Sequence, residues 1–413
     1  MRICVVGSGG REHALATVLR RHHEVVVTPG NPGIPGSVAT PATAIDADLY
    51  VIGPEAPLVE GLADRLRADG RSVFGPGADG ARLEGSKAWM KEVLVAAGVP
   101  TARHGTFTEA DPAFAFLDTL DGLYVVKTDG LAAGKGVVVT TSIDEARDAV
   151  REYLSGVAFG DAGRTLVIEE GLTGPEVSVL AVCDGTTAVP LSPAQDFKRV
   201  GDGDAGPNTG GMGAYSPVPV ADDAVIDAVM NEGVLPTLAH LRSIGIDYRG
   251  VLYAGLMLTP TGPKMLEYNV RFGDPETQVV LPRLTSDLGE LLASAAAGSL
   301  GAPPTFDAGA AVTVVCAAEG YPRDVRSGDR IEGLEDAQAV PGATIFCAGV
   351  AADTEGRLVT AGGRVLSVTG QGADLDSARK TAYEAVRRIS WTGMHHRNDI
   401  ASAAAAATDG GSR

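Results

Sequence analysis

The chain has 413 residues, 45% of them hydrophobic and 21% charged, which fits a folded protein of two or three domains and excludes a disordered or fibrous one. Its net charge of −18 argues against nonspecific binding to nucleic acid or to an anionic membrane, where neutralisation of phosphate dominates. Glycine, at 54 residues, is about 13% of the chain against a usual value of roughly 7%, which predicts many tight turns and close backbone approaches.

Residues 1 to about 100 alternate short apolar runs with helical stretches. Ile3-Cys4-Val5-Val6 runs into Gly7-Ser8-Gly9-Gly10 and a helix over Glu12–Arg21; Val25-Val26-Val27 ends at Thr28-Pro29-Gly30, Leu49-Tyr50-Val51-Ile52 at Gly53-Pro54-Glu55, and Val73-Phe74 at Gly75-Pro76-Gly77. Buried strands that each finish in a Gly/Pro turn before a helix predict an open parallel α/β sheet, which binds ligands beyond the carboxyl ends of its strands. A central region over 101–303 follows. Within it, 122–188 reads as a small antiparallel lid, with strands Leu123–Lys127, Val137–Thr140, Thr165–Glu170 and Val177–Cys183 and a helix over Asp144–Leu154. A polar, glycine-dense loop spans Ser192–Pro217, then come a helix near Asp222–Ile244, strands Val251–Leu258 and Lys264–Val270, and a helix near Asp287–Ala297. Gly301-Ala302-Pro303-Pro304 marks a boundary; a mixed α/β unit fills 304–400, and 401–413 reads as a frayed tail. Cys4, Cys183, Cys316 and Cys347 have neither zinc nor disulfide spacing, and no apolar run reaches the ~20 residues of a membrane span, so a reducing cytoplasm is expected.

Five stretches could carry chemistry. Gly7-Ser8-Gly9-Gly10-Arg11-Glu12-His13 lacks the third glycine of a dinucleotide fingerprint, because Glu12 stands there, and Thr28-Pro29-Gly30 lacks the acidic ribose ligand. The turn could hold a phosphate with help from Arg11, or be a plain strand-to-helix connection. Lys127-Thr128-Asp129-Gly130-Leu131-Ala132-Ala133-Gly134-Lys135-Gly136 is one residue short of a Walker A loop and has no Ser/Thr for magnesium, yet its two lysines and glycine amides suit a hairpin that folds over a triphosphate. In Met265–Glu276, strand alternation places Glu267, Asn269 and Arg271 on one face and Leu266, Tyr268 and Val270 on the other. A carboxylate and an amide oxygen two residues apart suit magnesium shared with phosphate, with Arg271 beside them to neutralise a transferring phosphoryl group. Val167–Glu176 could read an adenine edge through its backbone and ribose hydroxyls through Glu176. Finally, Asp196-Phe197-Lys198-Arg199 together with Asn208-Thr209-Gly210-Gly211-Met212 offers a basic pair and a glycine nest for an anionic substrate.

Taken in order, Gly9-Gly10-Arg11-Glu12-His13, Pro29-Gly30-Asn31, Gly53-Pro54-Glu55, Gly85-Ser86-Lys87, the Asp129–Gly136 loop, Asn208–Pro217 and Asn269–Gln278 resemble the phosphoribosylamine–glycine ligase (glycinamide ribonucleotide synthetase) family of ATP-grasp enzymes. The resemblance covers the chain to about Ile400. It implies a purine-biosynthetic ligase that joins glycine to 5-phosphoribosylamine through glycyl phosphate and releases ADP and phosphate, with Mg2+ or Mn2+. By the same resemblance, Lys87, Lys127, Gly134, Lys135 and Gly136 hold the ATP phosphates, Glu169, Glu170 and Leu172 form the adenine hinge, and Glu176 takes the ribose. Glu267 and Asn269 are the implied metal ligands, and Arg271 and Lys127 the catalytic cations. Gly9, Gly10, Arg11, Gly30, Asn31, Glu55, Asp196, Lys198, Asn208–Met212 (including Thr209, Gly210 and Gly211), Asp274, Pro275 and Glu276 surround glycine and phosphoribosylamine. The expected partners are these small molecules alone, for a monomer or weak homodimer. Against another ATP-grasp carboxylate–amine ligase or carboxylase stands the Asn208–Pro217 segment; against a silent nucleotide-binding protein stand the intact Lys87, Lys127, Glu267, Asn269 and Arg271; against a nicotinamide oxidoreductase stand Glu12 and Thr28. The strand Val251–Leu258 lacks the further metal carboxylate of many ATP-grasp enzymes.

Overall fold

A computed structural model describes residues 1–130, 136–156 and 164–410. Its N-terminal sheet has the predicted character. The strands Arg2–Gly7, Glu24–Pro29, Leu49–Ile52 and Val73–Phe74 pair in parallel with Arg2–Gly7 between Glu24–Pro29 and Leu49–Ile52. All four residues of Leu49–Ile52 are buried, as expected for a parallel strand covered on both faces.

The central sheet is antiparallel, in the order Ala188–Pro190, Glu176–Asp184, Arg249–Thr259, Gly262–Asn269. It shares its cores with the N-terminal sheet. Cys4, Val6, Tyr50 and Ile52 pack in one cluster with Val179, Ala181, Leu252 and Tyr268; Ile3, Val5, Leu49 and Val51 pack in another with Leu180, Val182, Val251 and Leu292. The Gly75 N–H donates to Arg249 O at 3.1 Å, a backbone bond that joins the end of the N-terminal sheet to the central one.

The lid is a separate four-stranded antiparallel sheet, His104–Phe107, Leu166–Glu170, Tyr124–Thr128, Val137–Thr140, backed by the helices Ala110–Leu117 and Ile143–Leu154 around its own small core. Its membership differs from the sequence reading: His104–Phe107 joins it, and Glu176–Asp184 leaves it for the central sheet. Eight of the nine residues Glu176–Asp184 are buried; so apolar a strand needs cover on both faces, which only the central sheet supplies.

Two elements interrupt their predicted regularity. The helix expected over Asp222–Ile244 is α-helical over Asp223–Val229, π-helical over Met230–Val234 and α-helical again over Leu235–Ser243. Pro236, in the first turn of the last segment, has no N–H to return to the carbonyl four residues earlier, and the preceding turn widens around the missing bond. In Gly262–Asn269 the register slips: Gly255 faces Glu267, while Leu256 faces Met265. Leu266 is the extra residue of a bulge, so Met265, rather than Leu266, enters the core beside Tyr268 and Val270.

The C-terminal sheet draws on both sides of the expected boundary near 303. Its order is Gln195–Asp196, Gly213–Ser216, Ala310–Ala317, Arg364–Gly372, Ala343–Cys347, with helix Leu375–Val386 against it. The Ser192–Pro217 segment, read as a loop, thus contributes two strands here and a hairpin of Arg199–Gly201 with Ala205–Asn208. The alanine run expected to fray is helical over Ser402–Gly410; alanine has the strongest intrinsic helix preference, and Ala401 and Ala405 bury against the C-terminal core. All four cysteines are buried and free, and no described helix is long and apolar enough to cross a membrane.

His13 ties the first helix to this unit. Its Nδ1 accepts the Cys347 N–H at 2.8 Å, and its ring meets Phe346 edge-on at 5.6 Å. Burial, helped by the Arg20 charge, lowers its pKa to about 4, so the ring is neutral when the protein is folded. The unfolded chain binds a proton below about 6.5 that the folded chain refuses, so stability falls as pH drops from about 6.5 to about 4, by about 3 kcal/mol for this group. His13→Gln, which keeps an acceptor without the titration, is expected to flatten the melting temperature against pH across that window; equal slopes in the two proteins would refute it.

Candidate active site

The helix Lys87–Ala96 opens at Ser86, whose Oγ accepts the Trp89 N–H at 3.1 Å. Asp129, at the end of a lid strand, accepts the Ser86 hydroxyl and the Ala88 N–H, each at 3.1 Å, and so places its charge at the positive end of that helix. Lys87 Nζ donates to Gly130 O at 2.8 Å. These three bonds fasten the entry of the glycine loop to the body of the protein. Burial lowers the Lys87 pKa. Gly134 and Lys135 lie outside the described residues; Gly136 O accepts the Thr128 N–H at 2.9 Å at the loop's far end.

One turn deeper on the same helix sits Lys91, which sequence reasoning missed although it lies four residues from Lys87, the spacing of one helix face. Lys91 Nζ is 3.1 Å from Glu169 Oε2, and Lys127 Nζ is 2.8 Å from Glu169 Oε1. Glu169 therefore does not offer its side chain to a base; it bridges two lysines. Against the cost of burial, Lys127 and Lys91 hold the Glu169 pKa down, while burial lowers that of Lys91 to about 8. The Glu170 and Gly171 amides are engaged by the carbonyls of Arg103 and Leu123 at 2.9 and 2.8 Å, and Glu170 Oε1 accepts the Arg103 N–H at 3.0 Å. Of the three expected hinge residues, half-buried Leu172 alone belongs to the open connection to the central sheet.

Glu267 and Asn269 project from the bulged strand, half-buried. The Glu267 carboxylate accepts no hydrogen bond among the described residues; its pKa, which burial would raise, is lowered by Lys198, Lys127, Lys87 and Arg271. Asn269 Oδ1 lies 3.4 Å from Arg271 Nη2. Arg271 is held by two acids, Glu84 Oε1 at 2.7 Å and Glu55 Oε2 at 3.4 Å, and they keep its pKa high although burial opposes it. Glu84, the stronger partner, gave no sequence signal: it lies within an ordinary helix, Ala78–Gly85, and only the fold brings it to residue 271.

Lys198 pairs with Glu176. Beside them, burial and the carboxylates of Glu276, Glu176 and Glu267 lift Asp196 to about 8 despite the attraction of Lys198. Glu276 is 3% exposed and accepts the Tyr253 hydroxyl at 2.5 Å. Asp274 is 3.2 Å from Arg364 Nη2. Arg364 also donates to Asp274 O at 2.7 Å and to Gly210 O, and the Tyr321 hydroxyl accepts the Gly210 N–H at 3.0 Å. A Cβ on Gly211, whose φ is +107, would lie 2.5 Å from Pro275, so only glycine lets the Asn208–Met212 loop reach this close. Thr209 donates its hydroxyl to Lys198 O at 2.8 Å, and Met212 is buried. Arg364 is a second residue that sequence reading missed, on a C-terminal strand with no local motif.

The N-terminal glycine turn is filled by the protein itself. The carboxylate of Glu12, 2% exposed, accepts the Gly9 N–H and Arg11 Nε–H, each at 2.6 Å. A side chain at Gly7 or Gly53 would collide with it. Gly10 packs against Gln278, the Gly30 N–H donates to Gly7 O at 3.0 Å, and Arg11 Nη1 donates to Phe272 O at 3.1 Å. Asn31 Nδ2 donates to Ser8 O at 2.8 Å and to Ala348 O at 3.1 Å. The Gly9–Arg11 turn thus lies beside Glu55, Arg271 and Asp274, with Gly30 and Asn31 bonded to the same turn.

Three consecutive family models match this chain: the N domain of phosphoribosylglycinamide synthetase over residues 1–84, its ATP-grasp (A) domain over 85–277 and its C domain over 311–403. Proteins named phosphoribosylamine–glycine ligase from Synechocystis sp. and Caulobacter vibrioides are each 50% identical to it, over 97% of this chain and 99% and 97% of theirs. The crystal structure of phosphoribosylamine–glycine ligase from Thermotoga maritima superposes with a TM-score of 0.82 at 36% identity, covering 97% of this chain and all of that one. The biotin carboxylase domain of Hydrogenobacter thermophilus 2-oxoglutarate carboxylase, at TM-score 0.72 and 17% identity over 96% of this chain and 91% of that one, shares the fold alone. This chain belongs to the phosphoribosylglycinamide synthetase family.

Proposed function

We propose that the cleft joins glycine to 5-phosphoribosylamine at the expense of ATP, through glycyl phosphate, as an ATP-grasp ligase of purine biosynthesis. The observation that carries this reading is that Lys87, Lys127, Lys198 and Arg271 all act on Glu267, each fixed by a partner of its own: Gly130 O, Glu169, Glu176, and Glu84 with Glu55. Cations fixed in this way suit the holding and neutralising of a polyphosphate.

Glu267 and Asn269 fit a divalent cation: the Glu267 carboxylate is free of protein hydrogen bonds among the described residues, Asn269 adds an amide oxygen, and an all-oxygen pair of this kind suits Mg2+ or Mn2+. When bound, such an ion would supply further neutralisation of the phosphate charge. Lys87 and Lys127 hold the phosphate chain, and Gly136 stands at the far end of the glycine loop; the phosphate role of Gly134 and Lys135, outside the described residues, rests on the family resemblance. Leu172 presents its backbone to the base beside Glu170, and Glu176 takes the ribose. The glycine carboxylate attacks the γ-phosphorus and ADP leaves; Arg271, fixed by Glu84 and Glu55, meets the charge that develops on the transferred group. The amine of phosphoribosylamine then attacks the acyl carbon and phosphate departs. Asp196, Lys198, Asp274, Pro275, Glu276 and the Asn208–Met212 loop position the two acceptors, with the N-terminal turns and Glu55 along the far wall. Catalysis of this kind is positioning and charge neutralisation.

The direct check is ADP release with glycine and freshly made phosphoribosylamine, with and without a divalent cation. Turnover is expected only with all components; ADP formed equally well with β-alanine in place of glycine, or without any divalent cation, would sink the reading. Glu267→Gln and Lys127→Ala should each lower kcat/KM by a factor of about a hundred or more, as loss of one preorganised charge partner costs roughly 3–4 kcal/mol, with melting temperatures little changed. Near-native turnover in either variant would overturn the assignment. Arg364→Ala releases Asp274 and the glycine loop together, and should raise the KM of glycine or phosphoribosylamine about tenfold or more while the KM of ATP stays put. A matching rise for ATP would show that the Arg364 clamp serves the nucleotide instead.

A further inference from the structure

The buried acid–base triad beneath the nucleotide cleft holds a lysine that cannot itself reach a phosphate. Lys91 is 1% exposed and Lys127 8%. Between them the single carboxylate of Glu169 gives one oxygen to each ammonium, Oε1 to Lys127 and Oε2 to Lys91. Two cations on one buried anion leave one positive charge in excess. Both lysines feel the Glu267 charge, but Lys127 is the more exposed of the two and stands on the lid strand that leads into the glycine loop. We infer that Lys91 is a positioning residue for the ligase reaction: by neutralising Glu169 from the interior, it leaves the Lys127 charge free for the phosphate chain.

The setting of Lys91 supports this division of labour. Its Nζ donates to Thr101 Oγ1 at 2.8 Å, and the Thr101 hydroxyl donates to Met265 O at 2.6 Å. The Met265 N–H in turn donates to Pro100 O at 2.7 Å. Lys91 thereby connects three bodies: the helix that carries Lys87, the lid strands that carry Lys127 and Glu169, and the bulged strand that carries Glu267 and Asn269. Removal of Lys91 would leave Glu169 and Lys127 as a one-to-one buried pair, and a buried carboxylate without its second partner would draw Lys127 to itself. Lys127 would then be a poor phosphate ligand although nothing that touches the nucleotide had been changed.

This inference rests on the placement of the ATP phosphates at Lys127, and the experiment separates the two. Binding of ADP with magnesium to the full chain is measured by calorimetry for the wild type, Lys91→Met, Glu169→Gln and the double variant, alongside the KM of ATP. Lys91→Met is expected to weaken ADP binding about tenfold, roughly 1.4 kcal/mol, and Glu169→Gln added to it should restore most of that loss, because the carboxylate that captures Lys127 is gone. A purely architectural Lys91 gives the opposite pattern, a double variant weaker than either single one. Lys91→Met binding ADP within about twofold of the wild type, less than half a kcal/mol, or a double variant that binds more weakly than Lys91→Met, overturns the inference. Should Lys91→Met not fold, the double variant, which lacks both buried charges, is compared with Glu169→Gln: equal affinities support the inference, and a further loss overturns it. No ADP binding by the wild type would sink the nucleotide placement itself.

Discussion

Burying cations in a protein costs heavily unless acids or carbonyls hold them, and the site of this chain is built around that requirement. Lys127 and Lys91 share Glu169, Lys198 has Glu176, and Arg271 has Glu84 and Glu55. The acids come from different units: Glu55 and Glu84 from the N-terminal third, Glu169 from the lid and Glu176 from the central sheet. Pairs so deeply placed cost much to desolvate and return little net stability. Their use is to keep charge fixed and dry at the place where a polyphosphate needs it, so that little reorganisation is required when the substrate arrives.

Much of this was legible in the sequence, and what was not has physical reasons. The parallel sheet shows itself because each strand ends in its own Gly/Pro turn, a local signal. The lid hairpin and the alternation around Glu267 are local as well. Strand exchange between lid and central sheet was hidden because it is decided by which strand needs cover on both faces, a property of the assembled core. The bulge at Leu266 reverses the burial of Met265 and Leu266 by one inserted residue that composition does not reveal. Around the site, the residues that carry local motifs were named from the sequence, whereas Glu84, Lys91 and Arg364, which pair with side chains about 80 to 190 positions away, were not. Lys91 had the only usable signal, its one-turn spacing from Lys87.

The N-terminal turn shows how a familiar pattern can serve a different purpose. A glycine-rich turn between a strand and a helix usually leaves its amides free for a phosphate. Here Glu12 takes the amide of Gly9 and fills the space that Gly7 and Gly53 leave open. The glycines are required by an internal carboxylate, which accounts for a fingerprint that is nearly complete and yet not that of a dinucleotide-binding protein. The likeness to biotin carboxylase domains at 17% identity fits the same lesson: the scaffold is shared, and the side chains placed upon it set the chemistry.

The C-terminal sheet has a consequence for how the chain can be cut or recombined. Its edge strand Gln195–Asp196 and the next strand in, Gly213–Ser216, are borrowed from the middle of the polypeptide, and Arg397 reaches back to Asp204 at 2.7 Å while Asn398 grips Asp202. A fragment ending near residue 303 would keep both strands but lose Ala310–Ala317, the second partner of Gly213–Ser216, leaving a bare, adhesive edge. The last hundred residues are therefore not a detachable appendage. Inheritance of this fold as a modular cassette would require the borrowed strands to travel with them.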